Sequence, residues 1–324
     1  MLGCKACKNL KSEAYTRNTS NEVVASATQQ RCVFQQPVRS QVRQGNLMTP
    51  QYPYPLSESD LNNLRTWFSR YVHSFYSQDA AVQRGLLLKE KHSLKVCDEI
   101  LDIGRKLHLS DKNLRLAETM ALLHDIGRFE QFTRYRTFVD RKSENHGELG
   151  VKVLQQEKTL RALNEGTRDL ILKTILYHNR LSIPEDETPV CIYFTKLLRD
   201  ADKLDIFAIA STYYANHAEK SSAIELDLPD TPEVSNEVLA GIRERKMVGM
   251  RQLRSLNDFK LLQMAWVYDV HFQPAFQMIY ERDYLRKIRD TLPESEKIDR
   301  IYADLQSYVK KKSEISDPGQ VLPF

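Results

Sequence analysis

The chain has 324 residues, of which 41% are hydrophobic and 28% are charged, and its formal net charge is +4. This balance suits a folded protein with a sizeable core and excludes a strongly basic protein dedicated to nucleic-acid binding. No window approaches the roughly 18 uninterrupted apolar residues of a membrane span. The five cysteines are few and scattered, so we expect reduced thiols in a cytoplasmic protein that does not associate with membranes.

Residues 1–50 differ in composition from the rest of the chain. They are polar, aperiodic and poor in large apolar side chains, which predicts disorder. Met48 is a candidate for the true start of the protein. From Ser59 the pattern changes, because apolar side chains recur every three or four residues between Leu61 and Phe75. An amphipathic helix is predicted there.

Helical periodicity continues through the remaining chain, whereas alternating strand patterns are nearly absent. The predicted helices cover about residues 90–107, 111–125, 144–157, 167–178, 190–210, 234–253, 257–282 and 297–312. The predicted fold class is therefore all-α, with one helical domain over residues 51–215 and a helical extension over residues 216–324 packed on it. The sequence does not decide whether the extension shapes a pocket or forms contacts in a homo-oligomer.

A histidine and an aspartate end one of these apolar helices. His124 shares the buried stripe of its helix with Met120 and Ala121, Asp125 follows it directly, and the helix breaks at Gly127. A break at this point leaves the polar pair at the end of the helix, where a ligand could reach both side chains.

Further polar side chains take inward positions on the neighbouring predicted helices. Asp202 lies four residues from Leu198 and four from Ile206, which makes it the more inward carboxylate of its helix, with Asp200 as the alternative. The inward histidines besides His124 are His92, His146 and His178. Four imidazoles and two carboxylates buried without partners would cost several kcal/mol per group, on the order of 2–7 each. We therefore expect them to bind cations.

The donor types narrow the choice of metal without fixing it. Imidazole and carboxylate without nearby thiolate suit Mn, Fe, Co, Ni, Zn or Mg as divalent ions. Neighbouring side chains on a helix diverge by about 100°. Asp125 and His124 could reach one ion at the helix end, and with two ions Asp125 could bridge them.

The ordered pattern His92, His124-Asp125, His146, His178, Asp202 resembles the HD-domain superfamily of metal-dependent phosphohydrolases. The segments "LLHDIGR" and "RDADKLDI" resemble the wording of that superfamily, and the similarity covers about residues 88–210. The resemblance implies an HD-type helical bundle with two metal sites. One would be formed by His92, His124, Asp125 and Asp202, and the other by His146 and His178 with Asp125 bridging.

The resemblance also implies an activity. We expect hydrolysis of a phosphate monoester or diester, in a nucleotide or another small phosphorylated compound, by water that the ions activate. Asp125, Arg128 and Lys203 are the predicted catalytic residues, and Arg128, Arg180 and Lys203 are predicted to bind the substrate. Further candidates are Asp205 and the segment with Arg134, Tyr135, Arg136, Phe138, Arg141 and Lys142, whose aromatic side chains could stack on a base.

The substrate itself is not specified. The sequence "NRLSIPEDETP" after His178 lacks the Gly-Tyr-Pro signature of the cyclic-dinucleotide branch, and Arg128-Phe129 replaces the acidic pair of guanosine-tetraphosphate hydrolases. Two alternatives remain open. One is a mixed-valence di-iron HD oxygenase, and the other is a non-catalytic HD signalling module, which the complete ligand set argues against.

Overall fold

The computed structural model describes residues 56–216, 221–246 and 248–315, and all regular secondary structure in these residues is helical. The all-α prediction is confirmed. The first seven helices are α1 Glu58–His73, α2 Ala80–Lys106, α3 Asp111–Leu123, α4 Gly127–Tyr135, α5 His146–Gln156, α6 Glu165–Tyr177 and α7 Pro189–Ala215. The next six are α8 Ser222–Glu225, α9 Asn236–Arg243, α10 Leu256–Ala265, α11 Gln273–Glu281, α12 Tyr284–Arg289 and α13 Glu296–Glu314. Three 3-10 helices cover Asp140–Lys142, Met250–Gln252 and Trp266–Asp269. The predicted disordered segment and Met48 lie outside the described residues.

Local sequence sets where the helices begin. Ser57 caps α1, accepting a hydrogen bond from the Asp60 backbone while the Asp60 carboxylate accepts one from the Ser57 backbone. Thr188 caps α7, whose first residue is Pro189, a position that needs no backbone donor. At α5 the cap is Asn145. Ser143, two residues earlier, is also a residue type that can cap a helix, but it donates its hydroxyl to the Val139 carbonyl.

Two long helices form the centre of the bundle. α2 and α7 have 27 residues each, which corresponds to about 40 Å. They pack against each other, and α3 contacts both. α4 lies against α2 and α5, while α6 connects α5 to α7. The ends of α3 and α6 and the middle of α2 and α7 therefore meet on one side of the bundle.

The C-terminal helices share the core of this bundle. α11 and α12 pack on α7, and α13 packs on α11. Buried apolar side chains from Leu56 to Val309 form one continuous cluster. The domain boundary at residue 215, where α7 ends, stays a prediction. None of the described helices combines the length and apolar character needed to cross a bilayer.

Several predicted helix boundaries were wrong. The predicted helix 257–282 is divided into α10, a 3-10 turn and α11, because Pro274 is accommodated only in the first turn of a helix. The predicted helix 234–253 ends at Arg243. α2 begins ten residues before the predicted residue 90, at Ala80, where Asp79 caps it. The segment after Gly127, for which no helix is predicted, contains α4.

A glycine allows the close approach of α4 to α5. A Cβ atom at Gly127 would lie 2.6 Å from the Gly150 backbone nitrogen and still closer to the His146 carbonyl oxygen. Backbone atoms cannot move aside as a flexible side chain can. Only glycine at this position therefore lets the turn after His124 lie directly against the first turn of α5.

We expect Gly127→Ala to destabilise the protein by about 1–3 kcal/mol, because the added methyl group overpacks a backbone contact. The free energy of unfolding in urea measures this effect. Gly249→Ala is the matched control, since its Cβ would meet only the Gln252 Oε1 atom at 3.7 Å, and it should change stability by less than about 0.5 kcal/mol. Equal stabilities of the two variants would contradict the packing described.

Candidate metal centre

Two histidines occupy equivalent positions at helix C-termini. His124 follows the last residue of α3, and its Nδ1 atom donates to the Ala121 carbonyl at 2.7 Å. His178 follows the last residue of α6, and its Nδ1 atom donates to the Ile175 carbonyl at 2.6 Å. The last carbonyls of a helix lack intrahelical partners. Each imidazole satisfies one of them and is thereby fixed with its Nε2 atom pointing away from the helix.

The other two histidines are oriented by carboxylates. His92 Nδ1 donates to Asp205 at 2.7 Å, and His146 Nδ1 donates to Asp140 at 2.7 Å. Because these acceptors are oxygens without protons, Nδ1 carries a hydrogen, and in the neutral imidazole Nε2 then carries the lone pair. A metal ligand needs this tautomer, and carboxylates often fix it. Asp205 is one of the candidates from the sequence, whereas Asp140, on the 3-10 turn before α5, is not among them.

The four Nε2 atoms converge, and their surroundings suit cations. His124 Nε2 is buried without a hydrogen-bond partner, and His92 Nε2 is buried with an Asp202 carboxylate oxygen 3.0 Å away. His146 Nε2 and His178 Nε2 lie 3.1 Å apart, so two lone pairs face each other. Two nitrogens that share one ion at about 2.1 Å are about 3.0–3.4 Å apart. The donor set therefore fits a metal ion better than it fits direct contact between two neutral imidazoles.

Asp125 lies between two pairs of histidines. Its Oδ2 atom is 3.6 Å from His92 Nε2 and 3.7 Å from His124 Nε2. Its Oδ1 atom is 3.5 Å from His146 Nε2 and 3.9 Å from His178 Nε2. One carboxylate oxygen thus faces each pair, which is the arrangement that a carboxylate bridging two ions requires.

Asp202 completes the first group, whereas Asp200 does not enter it. Asp202 Oδ1 lies 3.0 Å from His92 Nε2 and 3.8 Å from His124 Nε2. Ligand atoms of these three residues, and separately those of His124, Asp125 and His178, all lie within 4.8 Å of one another. Asp200 is fully buried on another face of α7 and accepts hydrogen bonds from the backbone of His271 and Phe272. The preference for Asp202 as the ligand agrees with this geometry.

Burial and charge favour the protonation states that bind metal at Asp125 and at three of the four histidines, and His92 is the exception. Burial lowers the pKa of His124 and His146 and, together with the neighbouring imidazoles, lowers the pKa of His178 to about 3. Burial opposes ionisation of Asp125, but Lys89, His124 and Arg128 hold the pKa of that carboxyl well below its usual range. Burial and Lys89 disfavour protonated His92, yet Asp202 and Asp205 outweigh them and raise its pKa.

Two cationic side chains lie beside the Asp125 carboxylate. Arg128, predicted from the sequence, places Nε 3.4 Å from Asp125 Oδ1 and donates through a terminal nitrogen to Asp140 at 3.0 Å. Lys89 Nζ lies 2.8 Å from Asp125 Oδ2. Sequence reasoning missed Lys89 because the predicted helix began at residue 90. A helix start at Asp79 would have placed Lys89 one turn before His92.

Other predicted cations have partners elsewhere. Lys203 Nζ lies 2.7 Å from Asp269 Oδ2, and Arg180 lies over the Tyr177 ring at 5.1 Å. In the contacts of the described residues, neither side chain touches a predicted metal ligand. Their roles in catalysis and substrate binding stay predictions. Ion pairs also hold Arg134 to Glu130 and Lys142 to Asp227, and Tyr135 is exposed.

A cavity of about 420 Å³ opens beside the centre. Lys89, His92 and Arg128 line one end. Phe138 forms part of the same end, with its ring 5.5 Å from Lys89 Nζ and 5.8 Å from Arg128 Cζ. The predicted stacking residue Phe138 is therefore adjacent to the centre, and its ring is packed against Phe132 at 4.4 Å between centroids. Arg141 also lines the cavity.

Comparison with known proteins identifies the central part of the chain. Residues 90–206 match the family model described as HD domain. No curated protein and no solved structure gives a significant match to the chain. The matched range begins two residues before His92 and ends four residues after Asp202, so all six predicted ligands lie within it.

We expect the metal-free protein to lose stability as the pH falls below about 6.5. The histidines with lowered pKa bind protons more readily in the unfolded chain, where the ordinary value is near 6.5. His178 alone should cost on the order of 1 kcal/mol between pH 7.5 and pH 5.5. The raised pKa of His92 has the opposite effect on stability, but three histidines, His124, His146 and His178, have lowered pKa values.

Urea unfolding in the presence of chelator at these two pH values measures the loss. His178→Gln is the control variant and should show a smaller difference between the two pH values. A metal-free protein that gains stability on acidification would contradict the described burial of the imidazoles.

Proposed function

We propose that the chain, whose residues 90–206 match the HD-domain family model, is a metal-dependent phosphohydrolase. Its substrate would be a phosphate monoester or diester of a nucleotide or another small compound. One observation carries the proposal, namely that the two oxygens of Asp125 face two separate histidine pairs beside a cavity with cationic side chains. The carboxylate and the histidines suit metal ions, and the cationic side chains suit an anionic substrate.

The residues divide between two ions. We propose that His92, His124, Asp125 and Asp202 bind one and that His146 and His178, with Asp125 bridging, bind the other. Divalent ions, when bound, supply Lewis acidity toward phosphate oxygens and lower the pKa of a water. The same donors accept Mn, Fe, Co, Ni, Zn or Mg.

The protein's own contribution to this chemistry is orientation. Asp205 and Asp140 hold the rings of His92 and His146, and the carbonyls of Ala121 and Ile175 hold the rings of His124 and His178. None of the four imidazoles then has to rotate or exchange its tautomer before it binds a cation. Such hydrogen bonds around metal ligands commonly contribute 10–100-fold to metal affinity or activity.

Arg128 and Lys89 are the cations best placed for a phosphate group. Both line the cavity, and both are paired with the carboxylate that would bridge the ions. Their positive charge can neutralise charge that develops on phosphoryl oxygens. In this proposal Lys89 is added to the predicted catalytic residues Asp125 and Arg128. Lys203 would contribute its positive charge while it remains paired with Asp269.

A hydrolysis panel on the full-length protein tests the proposal. Phosphate monoesters and diesters, including nucleotides, are offered to protein loaded with Mn²⁺, Co²⁺, Ni²⁺, Mg²⁺ or Fe²⁺. We expect phosphate release from at least one ester, and we expect His124→Ala and Asp125→Ala to reduce it by more than about 100-fold, because each removes a ligand and not only a supporting group.

His73→Ala is the matched control, since this exposed histidine on α1 lies outside the centre. It should retain the activity of the unmodified protein. Activity that survives both ligand substitutions would contradict the proposed site. An iron pair in the isolated protein, without hydrolysis of any ester, would favour the oxygenase alternative.

A further inference from the structure

The cavity beside the metal centre has one polar end and one apolar end. Lys89, His92, Arg128 and Asp140 lie at the polar end, where Arg128 and Asp140 are 3.0 Å apart, and Arg141 is the other charged residue of the lining. The lining away from these residues comes mainly from aliphatic and aromatic side chains of α7 and of the C-terminal region. A ligand that fills the cavity therefore meets charge at one end and hydrocarbon over most of its remaining length.

The apolar part of the cavity runs along α7. Asp202 faces the metal centre, and Ile206, Ile209 and Ala210 follow it on the cavity wall. Residues four and eight positions apart lie on one side of a helix. At 1.5 Å per residue, Ala210 is about 12 Å beyond Asp202. This wall thus extends over two helical turns from Asp202, the predicted metal ligand. The α7 side chains that line the cavity there are all uncharged.

The facing wall comes from the C-terminal helices. Met250, Phe259 and Trp266 line it, and the rings of Phe259 and Trp266 pack edge to face with centroids 6.3 Å apart. Gln263 is the uncharged polar side chain in the lining, and its Oε1 atom accepts from the Tyr214 hydroxyl. This wall offers few hydrogen bonds to a sugar or a nucleobase edge, whose buried polar groups would be costly without partners.

We infer that the substrate of this site is the phosphate ester of an apolar alcohol, with the phosphate at the metal centre and the hydrocarbon group along α7 between Ile206 and Trp266. The inference rests on the proposed function and narrows its substrate class. The cationic end suits the phosphate, and the continuous apolar wall suits an aliphatic or aromatic group. A nucleotide would place the polar edge of its base against this wall.

Binding of phosphonates tests the inference without requiring turnover, because their carbon–phosphorus bond is not an ester. Methylphosphonate and hexylphosphonate have the same head group and differ only in the apolar chain. A buried methylene contributes roughly fourfold to affinity. We expect hexylphosphonate to bind the Mg²⁺-loaded protein at least about 100-fold more tightly than methylphosphonate.

Trp266 reports on the location of the bound chain. The sequence contains two tryptophans, Trp67 and Trp266, and Trp67 on α1 stacks on Tyr71, away from the cavity lining. In Trp67→Phe, which retains Trp266 alone, hexylphosphonate should shift the emission to shorter wavelength and methylphosphonate should not. In Trp266→Phe, which retains Trp67, neither ligand should change it.

A pair of variants tests the wall itself. Ile209 lines the cavity and is partly exposed, whereas Leu172 is a partly exposed apolar residue of α6 outside the lining. We expect Ile209→Asn to reduce the affinity for hexylphosphonate at least tenfold and to leave methylphosphonate binding unchanged. Leu172→Asn should leave both affinities unchanged. Circular dichroism verifies that both variants are folded.

The outcomes separate the inference from the proposed function. Hexylphosphonate binding with the Trp266 shift, but without hydrolysis of any ester, would support the apolar site and overturn the phosphohydrolase. Hydrolysis with equal kcat/KM for methyl and hexyl phosphate, or with clear preference for adenosine monophosphate, would overturn the inference and leave the phosphohydrolase standing. Equal affinity of the two phosphonates would likewise overturn it.

Discussion

A buried carboxylate between two pairs of imidazoles is the feature on which the centre depends. Asp125 is 2% exposed, and a charge at such a position is expensive unless cations compensate for it. Lys89 and Arg128 supply part of that compensation from opposite sides, one at each carboxylate oxygen. The Nε2 atoms of the four imidazoles also face these two oxygens, at 3.5–3.9 Å, and the charges of Lys89 and Arg128 leave the Nε2 lone pairs without a partner. Divalent ions would satisfy the lone pairs and the carboxylate together.

The bundle builds this arrangement largely from helix termini. α3 and α6 end at the centre, where His124 and His178 each bond a carbonyl of the preceding turn. α5 begins there with His146, and Gly127 lets the start of α4 lie against it. A helix end offers unpaired backbone groups that can orient a side chain. The same turns that end the helices therefore also fix the imidazoles.

Part of this structure could be predicted from the sequence. Helical periodicity gave the fold class, and inward positions on successive helices gave the six predicted ligands, because each position follows from the phase of its own helix. Lys89 was missed because its role depends on a contact with Asp125, 36 residues away in the sequence, and Asp140 because its role depends on a contact with His146, six residues away. Both residues also lie close to helix boundaries that hydrophobic periodicity locates poorly. The apolar cavity was missed for a similar reason. Phe259 and Trp266 reach it only through the packing of the C-terminal helices on α7, which no local pattern specifies.

Crystals grown with Mn²⁺ and measured at an anomalous wavelength test the bridging role of Asp125 most directly. Two anomalous peaks should appear, one within a coordination distance of about 2.2 Å from Asp125 Oδ2 and the other at the same distance from Oδ1. Anomalous peaks of fully occupied Mn²⁺ elsewhere in the molecule, together with no ion bound to Asp125 or to any of the four imidazoles, would contradict the metal centre described.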